Sequence, residues 1–228
     1  VKFAVIEGLD GSGKSTQIGL LKDNLAAKNI PFEFLHFPRT GSPFYGELIS
    51  RFLRGEFGAN EAVNPYLVAL LYAGDRKDAA PEILKWLEEK KLVITDRYVF
   101  SNVAYQCAKL DNVTEKDKLK KWILNFEYSY NKIPIPDINI FLDVPFNFTI
   151  QQLKQDRSGA DRKYLQGNSD IHETDINFQY KVREMYIDLS KTESSLKMIS
   201  CSENNQIMEP YKIFELIIDC LKKENILE

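Results

Sequence analysis

The chain has 228 residues, enough for one large α/β domain and too short for two without a visible linker. Its 30 Lys and Arg against 33 Asp and Glu give a net charge of −3, which offers no bulk attraction to DNA, RNA or an anionic membrane surface. The three cysteines, Cys107, Cys201 and Cys220, lie far apart with no Cys-x-x-Cys spacing, so neither a disulfide framework nor a zinc site is expected and a reducing cytoplasm fits.

The N-terminal run Val1 to Ile6 is strand-like from its first residue and lacks the charged-then-apolar order of a signal peptide. No apolar stretch approaches ~18 residues, so no membrane span is expected. Short runs rich in Val, Ile, Leu and Phe at Lys2–Glu7, Phe32–Phe37, Lys91–Thr95, Asp137–Asp143 and Leu196–Ser200 predict buried strands. Between them, apolar residues recur at helical spacing over Ser15–Lys28, Tyr66–Lys90, Glu115–Tyr130, Thr174–Leu189 and Pro210–Leu221. The alternation predicts an α/β fold with a parallel, doubly wound sheet. Pro81 should split or bend the second of these helices, because proline lacks the N–H that the helix needs there. The polar, Gly-containing stretch Asp156–Asn168 is expected to be a mobile loop.

The residues Gly8-Leu9-Asp10-Gly11-Ser12-Gly13-Lys14-Ser15, followed by Thr16, satisfy G-x-x-x-x-G-K-[ST] between a predicted strand and a predicted helix. Glycines let the backbone curl so that successive N–H groups face inward, and the helix N-terminus adds positive potential beneath bound phosphates. Lys14 supplies a cation to the β- and γ-phosphates of a nucleoside triphosphate, and the Ser15 hydroxyl offers Mg²⁺ a hard oxygen ligand. The strand Lys91–Thr95 ends at Asp96, where a phosphate-loop protein places the carboxylate that holds Mg²⁺ through water. The plain alternative is a strand-end Asp that caps the next helix, which would not exclude the metal role.

A hydrolase or switch must position water, whereas a kinase for a small acceptor must exclude it and clamp two phosphorylated ligands. Arg39, Arg76 and Arg97 each follow a predicted strand or lie in a flanking helix, where guanidinium forks suit phosphate or base recognition. In Asp96-Arg97-Tyr98-Val99-Phe100-Ser101-Asn102-Val103-Ala104-Tyr105-Gln106 a strand-end Asp-Arg is followed by hydroxyls and an amide, a run able to bind an anion and a base edge together.

Together with Glu7–Gln17, Phe37-Pro38-Arg39 and Leu71–Arg76, that run resembles the signature of the thymidylate kinases (dTMP kinases) over nearly the whole chain. The resemblance implies a P-loop NTPase-type, three-layer fold in one domain, with a five-stranded parallel sheet flanked by helices and a lid at about residues 156–170. It implies ATP with Mg²⁺ as donor, dTMP as acceptor, and a homodimer. By the same resemblance Asp10 accepts a hydrogen bond from the acceptor's 3′-hydroxyl, and Arg39 and Arg97 hold its monophosphate. Tyr72 stacks on thymine, Arg76 reaches its carbonyl edge, Ser101 and Gln106 line the base pocket, and Tyr105 crowds the 2′ position. An aromatic face and a fixed donor suit a neutral pyrimidine, although Tyr72 and Tyr105 could each simply pack inward on an amphipathic helix.

One subgroup of the family carries a catalytic arginine directly after the position of Asp10, but here that place is Gly11. The basic stretch from Gln155 to Lys163 sits where the family's lid closes over ATP, so Arg157 and Arg162 are the candidates for the missing charge. His172, one of two histidines, receives no role, since phosphoryl transfer needs no histidine base. The expected reaction is ATP-dependent phosphorylation of dTMP to dTDP. Its rivals are a deoxynucleoside kinase, which would leave Arg39 and Arg97 without an anion, and a non-catalytic ATP-binding switch, which would need no acceptor pocket.

Overall fold

In the computed structural model, residues 2–155 and 160–227 are described, apart from the side chains of 160 and 161. Five strands, β1 (Lys2–Glu7), β2 (Phe32–His36), β3 (Leu92–Asp96), β4 (Ile138–Asp143) and β5 (Leu196–Ser200), form one sheet in the order β2-β3-β1-β4-β5. Every pairing is parallel. Strands covered on both faces need apolar residues on both, which is why these segments read as continuous apolar runs.

Alternate residues of β1 feed two cores. Phe3 and Val5 join a cluster with α3 (Pro65–Glu88), α4 (Val99–Cys107), α5 (Val113–Leu124) and α7 (Ile176–Thr192). Ala4 and Ile6 face the other way, toward α1 (Lys14–Ala27) and α8 (Pro210–Lys223). The result is three layers, helices on both faces of the sheet, as the alternation predicts. The short helix α2 (Tyr45–Leu53) adds a satellite cluster through Ile49, Phe52 and Leu53, packed with Val68 of α3. The last of the short helices is α6 (Phe146–Lys154).

Helix α3 runs unbroken through Pro81, where two helices or a bend were expected. The hydrogen bond that proline removes would have joined it to the Lys77 carbonyl, and both residues are exposed. Water can therefore satisfy the freed carbonyl, while buried Ala79, Ala80 and Ile83 pin the flanking turns to the core. The segment predicted as one helix over Glu115–Tyr130 changes character instead. After α5 it widens into a π-helical turn, Asn125–Tyr130, closed by an i→i+5 bond from Asn131 N to Phe126 O of 2.9 Å. Part of the expected loop at 156–168 is ordered as well, since Ala160–Leu165 forms a 3₁₀ turn.

Register places the functional residues. Asp96 pairs with Ile6 on one side and with His36 on the other, so the carboxyl ends of β1, β2 and β3 finish level with one another beneath the phosphate loop.

Candidate active site

The loop after β1 enters α1 through Gly11 at φ +72° and Gly13 at φ +79°, left-handed geometry that glycine adopts without strain. Gly8 meets a different requirement, because a Cβ there would lie 2.7 Å from Ser12 Oγ. Lys14 Nζ donates to Leu9 O at 2.8 Å and Gly8 O at 3.3 Å, folded over the loop it serves. Burial, seconded by the charge of Arg97, pushes its pKa down to about 8. A phosphate chain laid in the loop would reverse that shift.

Ser15 is exposed at the first turn of α1, while Asp96 is buried at the end of β3. Asp96 Oδ2 meets His36 Nδ1 at 3.1 Å, and its Oδ1 is buried without a partner among the described residues. Burial opposes the charge on Asp96, but Lys14 and His36 outweigh it and lower the pKa. No group of three or more His, Cys, Asp or Glu that could hold a metal occurs among the described residues. Mg²⁺ needs no such cage, since it keeps waters and binds through one or two protein oxygens plus phosphates. An accessible hydroxyl and an ionised carboxylate with an unpartnered oxygen fit that requirement.

Beside the loop lies a cavity of about 170 Å³, lined among others by Asp10, Tyr72, Arg76, Arg97, Ser101, Asn102, Tyr105 and Gln106. Seven of the acceptor-side residues expected from sequence therefore converge on one space. Arg97 turns into it at φ +66°, an uncommon conformation for a side chain larger than glycine. Its Nη2 donates to Asp10 Oδ1 at 2.8 Å and Tyr105 Oη at 3.2 Å, and its Nη1 to Ser101 Oγ at 3.3 Å. Asp10 Oδ2 accepts from Tyr105 Oη at 2.8 Å and from Gln179 Nε2 at 3.2 Å. Burial works against ionisation of Asp10, but Arg97 and then Lys14 overcome it and hold the carboxyl well below the usual range.

Glu7 at the end of β1 holds this turn in place, a role the sequence reading did not assign. Its Oε1 accepts from Tyr98 N at 3.0 Å and Ser101 N at 3.3 Å, satisfying amides at the start of α4. Its Oε2 accepts from Ser101 Oγ at 2.5 Å and Tyr186 Oη at 2.8 Å. The Ser101 hydroxyl is thus tied inward, although the residue lines the cavity. Gln106 is fully buried on the cavity wall with both amide atoms unpartnered among the described residues.

Arg39 is the exception. Pro38 and Thr40 line the cavity, but the Arg39 guanidinium turns to α3, with Nε 2.9 Å from Asp75 Oδ1 and Nη2 2.6 Å from Asp78 Oδ2. Two carboxylates on one helix outcompete the cavity for that charge. Arg76 lies on the cavity wall with Glu127 as its partner, and Asn102 between α3 and Glu127 presents an amide.

The lid side is partly described. Arg157 lies outside the described residues. Arg162 makes a two-pronged pair with Glu173, at 2.9 and 2.7 Å, which raises its pKa. Arg54 anchors the 3₁₀ turn to α2 through Tyr164 O at 2.5 Å. Tyr164, Asp170 and His172 complete the cavity wall, none of them expected there from sequence. Burial, with Asp10 and Glu173 nearby, pushes Asp170 up to about 7. His172 packs among Phe52, Tyr105 and Phe178, with ring centroids 5.5, 5.1 and 5.3 Å away, and burial followed by Lys109 pushes it down to about 3. It is a neutral packing residue on the cavity wall.

A solved thymidylate kinase from Candida albicans superposes with a TM-score of 0.70 over 98% of this chain and 92% of that one, at 22% identity, a likeness of fold. Relatives are nearer in sequence. A probable thymidylate kinase from Saccharolobus solfataricus is 33% identical over 91% of this chain and 93% of its own length. A thymidylate kinase from Mycobacterium tuberculosis is 31% identical over 81% and 84% respectively. The family model described as thymidylate kinase matches residues 6–210, from the end of β1 to the start of α8. With that model matched over most of the chain and a relative 33% identical over 91% of it, the chain belongs to the thymidylate kinase family.

Proposed function

We propose that this chain transfers the terminal phosphoryl group of ATP to dTMP, giving dTDP, as a single nucleoside monophosphate kinase domain. The observation that carries this reading is the ion pair of Asp10 and Arg97. Asp10 belongs to the phosphate loop and Arg97 to the acceptor cavity, so donor and acceptor sites share a wall. Arg97 is placed to bind the acceptor's phosphate, and Asp10 to take a hydrogen bond from its sugar hydroxyl. Tyr72 offers an aromatic face to the base. Arg76 offers a donor, and Asn102 Oδ1, buried in the cavity wall and unpartnered among the described residues, an acceptor. That pair matches the carbonyl and ring N–H of thymine.

Lys14, Arg97 and a lid arginine, Arg157 or Arg162, neutralise charge that spreads over the transferred group. Ser15 and Asp96 would hold Mg²⁺, which supplies electrostatic stabilisation to the phosphates when bound. The backbone amides of Gly8–Thr16 orient the donor, and a lid closed over the site would keep water from the transfer. Arg39 reaches the acceptor phosphate only by leaving Asp75 and Asp78.

No helix among the described residues is long and apolar enough to cross a membrane. The free thiols of Cys107, Cys201 and Cys220 suit a reducing cytoplasm. A homodimer is consistent with exposed Leu67 and Leu70 on α3, and light scattering tests it. The reaction is tested by coupled ADP release with ATP and a panel of dTMP, dUMP, dCMP, dGMP and thymidine. Turnover with dTMP well above the rest is expected, and preference for thymidine, or ATP binding without transfer to any acceptor, would overturn the reading.

A further inference from the structure

One carboxylate organises the base-reading wall. Arg76 Nε and Nη2 donate to Glu127 Oε2 and Oε1 at 2.5 and 2.7 Å, with both side chains out of solvent. Arg76 Nη1 has no partner among the described residues, and Arg76 lines the cavity. Asn102 Nδ2 donates to the same Glu127 Oε1 at 3.0 Å and to Ala69 O at 3.1 Å. Turning the Asn102 amide over would set its oxygen against two acceptors, so Oδ1 is fixed on the other side. A guanidinium can only donate, and this Oδ1 can only accept.

The π-helical turn brings Glu127 there. Residues four apart drift by about 40° around an α-helix of 3.6 residues per turn. The wider turn over Asn125–Tyr130 keeps Glu127 in line with buried Leu119 and Ile123. On its outer side the same register stacks Trp122 on Phe126 and Phe126 on Tyr130, at 5.2 and 5.5 Å.

Resting on the reading of this cavity as the dTMP site, we propose that Glu127 is a positioning residue that sets the polarity of base recognition. It holds Arg76 as the donor and Asn102 as the acceptor, side by side. A base with a 4-carbonyl next to a ring N–H satisfies both. A base with a 4-amino group next to a bare ring nitrogen presents donor to donor and acceptor to acceptor, and is refused. Glu127 touches no substrate, and its effect passes through its two partners.

The test is steady-state kinetics on the full chain with dTMP and with 5-methyl-dCMP, which differ only along that edge. The wild-type kcat/KM should favour dTMP by about 100-fold or more, since buried polar groups left unpaired penalise the wrong ligand heavily. Glu127→Gln keeps the size but puts a donor where an acceptor stood, so Arg76 or Asn102 must turn. Its preference for dTMP should fall by about tenfold or more, through KM for dTMP, with KM for ATP within about threefold. A purely structural role would lower both acceptors together and leave their ratio alone. If Glu127→Gln does not fold, Glu127→Asp, one methylene too short to reach both partners, is measured the same way and should narrow the ratio at least about threefold. A folded variant with an unchanged ratio overturns the role of Glu127 while the dTMP reading stands. A wild-type enzyme inactive on dTMP overturns that reading itself.

Discussion

Arg97 Nη2 lies 2.8 Å from Asp10 Oδ1, joining the first residue after β3 to the middle of the phosphate loop. The pair neutralises a buried guanidinium against a half-buried carboxylate, and Tyr105 bridges it from the other side with bonds to both residues. The phosphate loop and the neighbouring cavity are therefore electrostatically coupled.

Lys14→Ala should abolish transfer and leave the fold intact. The lysine packs over the loop through its Nζ and contributes charge rather than core volume. We expect kcat to fall by about 10²-fold or more with an unchanged circular dichroism spectrum. A folded variant with near-normal turnover would refute the phosphate-loop assignment.

Arg76→Ala should weaken dTMP far more than ATP, with the acceptor KM raised about tenfold or more and the ATP KM within about threefold. The Glu127 pairing adds an effect on stability. Truncation leaves the Glu127 carboxylate buried and unpaired, which costs about 3–5 kcal/mol, so thermal unfolding should shift down markedly. Adding Glu127→Gln should restore part of that loss, and equal KM increases for both substrates would count against the assignment.

The lid supplies the next test. At least one of Arg157→Ala and Arg162→Ala should lower kcat by about 10²-fold or more with little change in dTMP affinity, as expected for a cation engaged mainly in the transition state. The Glu173 pair ties Arg162, within the 3₁₀ turn, to the segment before α7, so Arg162 must exchange that partner for phosphate. If both single variants and the double variant keep kcat within about threefold, the lid carries no catalytic arginine.

Asp170 should leave a signature in the pH dependence of stability. Its pKa is raised to about 7 from 3.8, so between these values the folded chain holds a proton that the unfolded chain has released. Stability from this group therefore falls as pH rises through that window and is lowest above it. Asp170→Asn should flatten the decline and raise the melting temperature at pH 8 by roughly 2–4 °C for each kcal/mol recovered. An identical pH profile in variant and wild type would show that the group does not titrate there.

The sheet was legible in the sequence because buried parallel strands are unbroken apolar runs, and the phosphate loop because its chemistry fixes residue types at fixed spacing. Helices α2 and α6 were not, each being nine residues long. Helix α4 is buried on every side, so only the run after Asp96, and no amphipathic stripe, pointed to it. Arg39 looked like a phosphate ligand, and only the folded chain brings Asp75 and Asp78 to it. Glu127 did leave a trace, a carboxylate that continues the apolar spacing of Leu119 and Ile123. A charge in such a stripe demands a buried partner, but nothing local says that the partner is Arg76, 51 positions away.

The level strand ends of β1, β2 and β3 divide the labour of the molecule. Glu7, paired with Phe141, and Asp96, paired with Ile6 and His36, are carried by the hydrogen-bonded sheet, and neither can advance or retreat without shifting its neighbours. Tyr72, Arg76, Asn102 and Glu127 ride instead on helices and a π-helical turn, outside that lattice. Substitutions on those helices can therefore reshape the cavity wall while the strand ends that carry Glu7 and Asp96 stay where the sheet holds them.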